Sequence, residues 1–99
     1  MKYTFHPEAL QEYVEATMYY TEVCFELGES FLYEIERGIQ QILDNPKAWQ
    51  IVEEDIRRYL VHRFPFGIYY TVEDDCILIV AIMHMSREPG YWKNRIKFG

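Results

Sequence analysis

The sequence predicts an α+β domain in which an N-terminal helical hairpin packs on a mainly antiparallel sheet, in the element order β-α-α-β-β-β. Two observations carry this prediction. Apolar residues recur at spacings of three and four between residues 7 and 44, which is typical of amphipathic helices, and strand formers dominate residues 56 to 83. Because 99 residues suit one hydrophobic core, we expect residues 1–99 to form a single domain.

The first strand and the first helix are predicted from residues 2 to 28. Polar and apolar residues alternate from Lys2 to Phe5, and Pro7 then suits the first turn of a helix, with Glu8 at the positive end of the helix dipole. His6 is expected to be a cap or a surface residue, and Gly28 to be the C-terminal cap. The expected apolar face comprises Ala9, Tyr13, Ala16, Tyr20 and Val23 or Cys24. The residues expected to face away from it are Gln11, Glu12, Glu15 and Glu22.

The second helix follows a short link at Glu26 to Ser30, which makes the two helices an antiparallel hairpin. It ends at Asp44-Asn45-Pro46, since the residue before a proline avoids helical angles. Its apolar side comprises Phe31, Ile35, Ile39, Ile42 and Leu43. Its polar side comprises Glu34, Arg37 and Gln41.

The second half of the chain supplies a sheet for these helices. Ile56 to Arg63 and Phe66 to Val72 are predicted to form a hairpin around Phe64-Pro65, with Phe66, Ile68, Tyr70 and Val72 on one face. Cys76 to Met83 is apolar on both faces, which predicts a central strand. The remaining segments are a polar turn at Glu73-Asp74-Asp75, a loop at Ser86 to Gly90, and a short helix or an extended tail at Tyr91 to Phe98.

Composition excludes several classes of protein. With 49% hydrophobic and 26% charged residues, and a longest apolar run of only Ile77 to Met83, the chain is predicted to have no membrane span. The N-terminus lacks the pattern of a secretion signal, so a cytoplasmic location is expected. Cys24 and Cys76 are expected to be buried free thiols rather than a disulfide, and no residue spacing predicts a metal or another cofactor.

The net charge of −6 is distributed unevenly. Residues 1–56 carry 12 acidic and three basic residues, a net charge of −9, whereas residues 57–99 carry four acidic and seven basic residues, a net charge of +3. Either an anionic partner binds the C-terminal half, or these side chains form solvated sheet edges. The basic residues of that half are Arg57, Arg58, Arg63, Arg87, Lys93, Arg95 and Lys97.

Residues 57–95 resemble the C-terminal half of the RelE/ParE superfamily, whose members are the toxins of type II toxin–antitoxin modules and include plasmid stabilisation proteins. The resemblance rests on Arg57-Arg58, on Arg63-Phe64-Pro65-Phe66, on Ile68-Tyr69-Tyr70, and on the ending that contains His84, Arg87, Pro89, Tyr91-Trp92 and Arg95. The segments FHPEALQEYVEATMYY and ILDNPKAW extend it over nearly the whole chain. It implies the same β-α-α-β-β-β order and a cognate antitoxin that binds the toxin in a hetero-oligomer.

The resemblance implies two activities. RelE-like members cut messenger RNA in the ribosome, whereas ParE-like members bind DNA gyrase and block it. RelE-like enzymes carry an arginine in the third strand, where this chain has Gly67, and a basic cluster after the second helix, which here is reduced to Lys47. Because glycine cannot stabilise charge on a phosphate, gyrase binding is the favoured hypothesis and ribosome-dependent RNA cleavage is the alternative. A non-toxic protein-binding module is a third hypothesis.

Each hypothesis names its own residues. As a gyrase inhibitor, the protein is expected to bind its target through Arg87, Tyr91, Trp92, Arg95, Lys97 and Phe98. As a ribonuclease, it would use His62, Arg63, His84, Arg87 and Tyr91. Two of these have simpler interpretations: Arg87 as one half of a surface salt bridge, and His84 as a packed histidine with one satisfied nitrogen.

Overall fold

In the computed structural model, two antiparallel helices cover one face of a five-stranded sheet. The structure describes residues 1–87 and Arg95. The elements are β1 (Lys2–Phe5), α1 (Pro7–Val23), α2 (Phe25–Asp44), β2 (Gln50–Glu53), β3 (Ile56–Leu60), β4 (Phe66–Glu73) and β5 (Cys76–His84). The strand order is β1-β5-β4-β3-β2; β1 runs parallel to β5, and the other neighbours are antiparallel. The predicted α+β class, with a helical hairpin on a mainly antiparallel sheet, is therefore confirmed.

The junction between the helices differs from the prediction. A single residue, Cys24, has extended backbone angles and separates α1 from α2, so the predicted link at Glu26 to Ser30 and the predicted cap at Gly28 are wrong. Gly28 lies buried inside α2, where a Cβ atom would overlap the Oγ1 of Thr21 and lie 2.9 Å from its Cα. Glycine is required here because the two helix backbones approach closely, not because a helix ends.

Most of the predicted apolar faces are confirmed, including Ala9 and Tyr13 on α1 and four buried residues of α2. Three predictions fail. Val23 is 62% exposed at the end of α1, next to the junction between the helices. Glu12 and Glu34, both expected to face solvent, instead point inward: Glu12 is half-buried and contacts β5, and Glu34 is buried on α2. His6 caps α1 as expected, with its Nδ1 accepting from the backbone N–H of Glu8 at 3.1 Å.

Two strand predictions are wrong: one strand was missed, and another was predicted to be too long. Gln50–Glu53 forms a strand that the sequence did not predict, since it has four residues, is mixed in polarity and contains a register shift between Ile51 and Glu53. The strand predicted from Ile56 to Arg63 ends at Leu60, because Arg63 has a φ of 72°, which a strand does not accommodate. Strand β4 matches its prediction apart from one additional residue, Glu73.

The core lies between the helices and the sheet. Its strand residues include Ile68, Tyr70 and Ile82, which pack against the apolar sides of both helices. A second buried cluster, comprising Ile56, Tyr69, Val80, Ala81 and Met83, lies on the opposite face of the sheet. Strand β5 contributes to both clusters, which confirms that it is covered on both sides.

The two cysteines are free, but the prediction that they are buried is wrong. Cys24 is exposed at the helix junction, where its Sγ donates to the Glu26 carboxylate at 3.1 Å, and Cys76 is half-buried at the start of β5. Among the described residues, no helix has both the length and the apolar character that crossing a membrane requires.

Candidate functional site

The structure brings four of the candidate residues to one end of the sheet. The register pairs Phe66 with His84, so the turn between β3 and β4 lies beside the end of β5. A hydrogen bond from the Met85 backbone N–H to the Pro65 carbonyl, at 2.8 Å, joins the two loops directly. We call this region the basic sheet end and define it by His62, Arg63, His84 and Arg87.

The turn between β3 and β4 presents two of these side chains on a fixed backbone. Val61 and Phe64 are buried, and the Phe64 ring packs edge-on against Phe31 at a centroid distance of 5.2 Å. These anchors hold His62 and Arg63 outward, and both are exposed. The left-handed angle at Arg63 costs about 1 kcal/mol or more for a residue with a Cβ atom. The turn therefore holds the Arg63 cation at the end of the sheet, although Arg63 must adopt an unfavourable left-handed backbone angle.

His84 is held in one tautomer by its neighbour. Its Nδ1 accepts a hydrogen bond from the backbone N–H of Ser86 at 3.1 Å and lies 2.7 Å from the Ser86 hydroxyl. Since a backbone N–H can only donate, the neutral imidazole carries its proton on Nε2. The ring also packs edge-on against Phe66. His84 thus has one satisfied nitrogen, as expected, but it is exposed rather than packed in the core.

Gly67 is buried on β4 beneath two larger side chains. A Cβ atom there would lie 2.9 Å from the Tyr69 ring and 3.2 Å from the Cγ of Arg58. Arg58, half-buried on β3, lies diagonally across the strand pair, since its direct partner is Tyr69. The space in which a longer side chain at position 67 would begin is therefore already filled.

Arg87 and Arg95 have different environments. Arg87 is exposed, and its backbone N–H donates to the His84 carbonyl at 2.9 Å, which forms the turn that follows β5. The side chain of Arg95 is 93% buried and forms a two-point ion pair with Glu12, in which NH1 lies 2.8 Å from Oε1 and NH2 lies 2.9 Å from Oε2. The structure therefore places Arg95 against α1 and β5, apart from the basic sheet end. Tyr91, Trp92, Lys97 and Phe98 lie outside the described residues.

An exposed apolar surface on the helical hairpin was not identified from the sequence. Leu10, Val14 and Met18 recur at a spacing of four on α1, and together with Leu32 of α2 they line a shallow groove of about 260 Å³. Their exposed fractions range from 42% to 56%. We call this surface the apolar helix groove and define it by these four residues. The spacing of four was a visible signal, because it marks a second apolar stripe beside the one that faces the sheet.

The groove lies on a strongly acidic element. Residues 7–44 contain nine acidic side chains and one basic side chain, Arg37. The hydroxyl of Tyr13 at the base of the groove donates to Glu36 at 2.7 Å, joining α1 to α2. Burial, followed by this bond to a carboxylate, raises the pKa of Tyr13 well above its usual range. Within residues 1–87 and Arg95, no group of three His, Cys, Asp or Glu side chains is arranged to hold a metal ion.

Comparison with known proteins gives two findings. The family model described as the ParE toxin of type II toxin–antitoxin system, parDE, matches residues 3–89. A solved structure titled "Chromosomal ParDE TA system from P. aeruginosa" matches with a TM-score of 0.64 and 18% identity, covering 85% of this chain and 95% of that chain. At this identity the match shows a shared fold. No curated protein matches the sequence significantly.

Two helices on a five-stranded, mostly antiparallel sheet, together with these matches, define a toxin of the RelE/ParE superfamily. Because the family model covers most of the sequence, the chain belongs to the ParE toxin family of type II toxin–antitoxin systems.

Proposed function

We propose that this toxin arrests growth by binding DNA gyrase, without cutting RNA, and that a cognate antitoxin neutralises it. The observation that carries the proposal is the filled space at Gly67. RNA cleavage needs a base for the 2′-hydroxyl and cations for the charge that develops on the phosphate. With the Arg58 side chain and the Tyr69 ring over Gly67, β4 contributes no cation at the position that RelE-like enzymes use.

The state of His84 supports the same proposal. A general base must have a nitrogen lone pair directed at the proton that it removes. The Nδ1 atom of His84 accepts from Ser86, so its Nε2 atom carries the proton in the neutral ring. The loss of one preorganised charge-stabilising donor typically costs about 3 kcal/mol in the transition state, which is more than a hundredfold in rate.

Ribosome-dependent cleavage remains the second candidate because one observation favours it. The loops that carry His62, Arg63 and Arg87 lie at the same end of the sheet as His84, and a group of basic residues suits an RNA backbone as well as it suits a protein. In the gyrase proposal the same residues are contacts rather than catalysts. Arg87, Tyr91, Trp92, Lys97 and Phe98 are the proposed contacts, of which Arg87 is exposed at this end of the sheet.

The antitoxin is proposed to bind the apolar helix groove. Half-exposed Leu10, Val14 and Met18 form a stripe that matches the apolar face of a helix laid along α1. Because the surrounding hairpin carries nine acidic residues and one basic residue, the occupant is expected to be an amphipathic helix with a basic polar face. The same charge disfavours a second copy of this hairpin in the groove.

Induction of the toxin in a bacterial host without the antitoxin tests the proposed target. We expect growth arrest with filamentation and chromosome breaks, and intact messenger RNA. Cuts at codon-defined positions in translated messages, with unbroken chromosomes, would replace the gyrase proposal by the ribonuclease alternative. Growth at the normal rate would contradict both and leave a non-toxic binding module.

A further inference from the structure

We infer that Glu12 is a positioning residue that fixes Arg95, within the C-terminal segment proposed to bind the target, at the free edge of β5. The inference rests on the proposed use of that segment for target binding. It changes the role of Arg95 from a target contact to an internal anchor. The structural basis is one carboxylate that joins α1, β5 and Arg95.

The free edge of β5 explains why the anchor lies where it does. Strand β1 pairs with β5 only from Cys76 to Ile79, so the backbone beyond Ile79 has no strand beside it on that edge among the described residues. Glu12 and Arg95 supply the missing partners. The Ile82 N–H donates to Glu12 Oε1 at 3.1 Å, and Arg95 NH1 donates to the Val80 carbonyl at 3.1 Å. The two side chains therefore complete the sheet edge as well as binding each other.

The geometry of the pair makes it strong. Arg95 and Glu12 make two parallel bonds at 2.8 and 2.9 Å, which is the fork geometry of a charge-assisted pair, and Glu8 lies 3.5 Å from the Arg95 Nε. Arg95 is 93% buried and the Glu12 side chain is 83% buried. Water therefore screens this pair much less than a surface pair, and removal of either partner leaves a buried charge without compensation.

The contacts of Arg95 favour an anchor over a target contact. A direct target contact by Arg95 would require it to leave two carboxylates and a carbonyl.

Substitutions at both ends of the pair distinguish anchor from contact. Glu12→Gln retains an oxygen that accepts from Ile82 but removes the charge, and Arg95→Gln removes the other half of the pair. If Arg95 is an anchor, both single variants lose toxicity and the double variant loses no more than either of them, because each breaks the same interaction. If Arg95 contacts the target, Arg95→Gln loses toxicity while Glu12→Gln retains it, and that result would overturn the inference. Glu22→Gln, an exposed glutamate on the same helix, is the matched control.

A second measurement separates the inference from the proposed function. Limited trypsin digestion followed by mass spectrometry reports cleavage after Arg95 and needs no toxicity. Trypsin can cut after Arg95 only when the Arg95 side chain leaves its buried position and enters the protease active site. Because Glu12→Gln weakens the pair, we expect it to accelerate this cleavage about tenfold or more at a temperature where the core stays folded. Glu22→Gln should match the wild type. Unchanged cleavage in Glu12→Gln refutes the anchor, whereas accelerated cleavage in a chain that is not toxic refutes the proposed function only.

Discussion

Substitution of Val14 by lysine should produce a toxin that escapes its antitoxin. Val14 lies in the middle of the apolar helix groove and is 49% exposed, so an antitoxin helix would bury about half of its side chain. Loss of that burial costs about 1 kcal/mol, and a lysine facing a basic helix adds repulsion and desolvation of at least a similar size. The sum, about 2 kcal/mol or more, corresponds to a roughly thirtyfold weaker Kd.

Two assays measure this effect. Titration of the purified toxin with the antitoxin gives the Kd directly, and growth of cells that co-express the two proteins gives the degree of neutralisation. Toxicity without antitoxin should be unchanged, because a substitution at an exposed position alters folding stability by no more than about 0.5 kcal/mol. Ile51→Lys, on edge strand β2 with 50% exposure, is the matched control and should remain neutralised. Val14→Lys that binds antitoxin as tightly as the wild type would refute the groove as the docking surface.

Three further outcomes are expected. Gly38→Ala should lower stability by about 1 kcal/mol in urea denaturation, because a Cβ 2.6 Å from the Tyr59 ring costs more than the gain in helix propensity; a more stable variant would show that the ring yields. Burial raises the pKa of Tyr70 to about 12 from its ordinary value of 10, so its contribution to stability is complete below pH 10 and is lost as the pH rises towards 12. In Tyr70→Phe the free energy of unfolding should depend less on pH between pH 10 and pH 12. An unchanged pH dependence would exclude Tyr70 as its source. Arg87→Ala should abolish toxicity with an unchanged circular dichroism spectrum, and an unaffected toxin would show that Arg87 is not a contact.

The parts of the fold that were predicted correctly depend on local periodicity. Phe31, Ile35, Ile39 and Ile42 recur at helical spacing, and the alternation in β4 assigns its apolar side chains to the helix face. The sequence resemblance then identified the superfamily, and the fold and family model agree with it. The helix and strand patterns are visible in sequence because the residues that repeat are only two to four positions apart.

The failures share a different physical origin. Gly28 resembles a helix cap in sequence, but its role depends on the distance between two helix backbones. Strand β2 is short and polar, and it is stabilised by its neighbour β3 rather than by its own composition. Glu12 has the spacing of a solvent-facing residue, yet it binds Arg95, 83 positions away. The periodicity of a single element does not contain these contacts, since each forms only when two elements pack together.

The central claim is that this ParE-family toxin acts on gyrase and does not cut RNA. The most direct measurement adds the purified toxin to a DNA gyrase supercoiling reaction and, in parallel, to a ribosome-programmed translation reaction with labelled messenger RNA. The account predicts inhibited supercoiling, intact message, and loss of the inhibition in Arg87→Ala. Unaffected gyrase together with a cleaved message would contradict it.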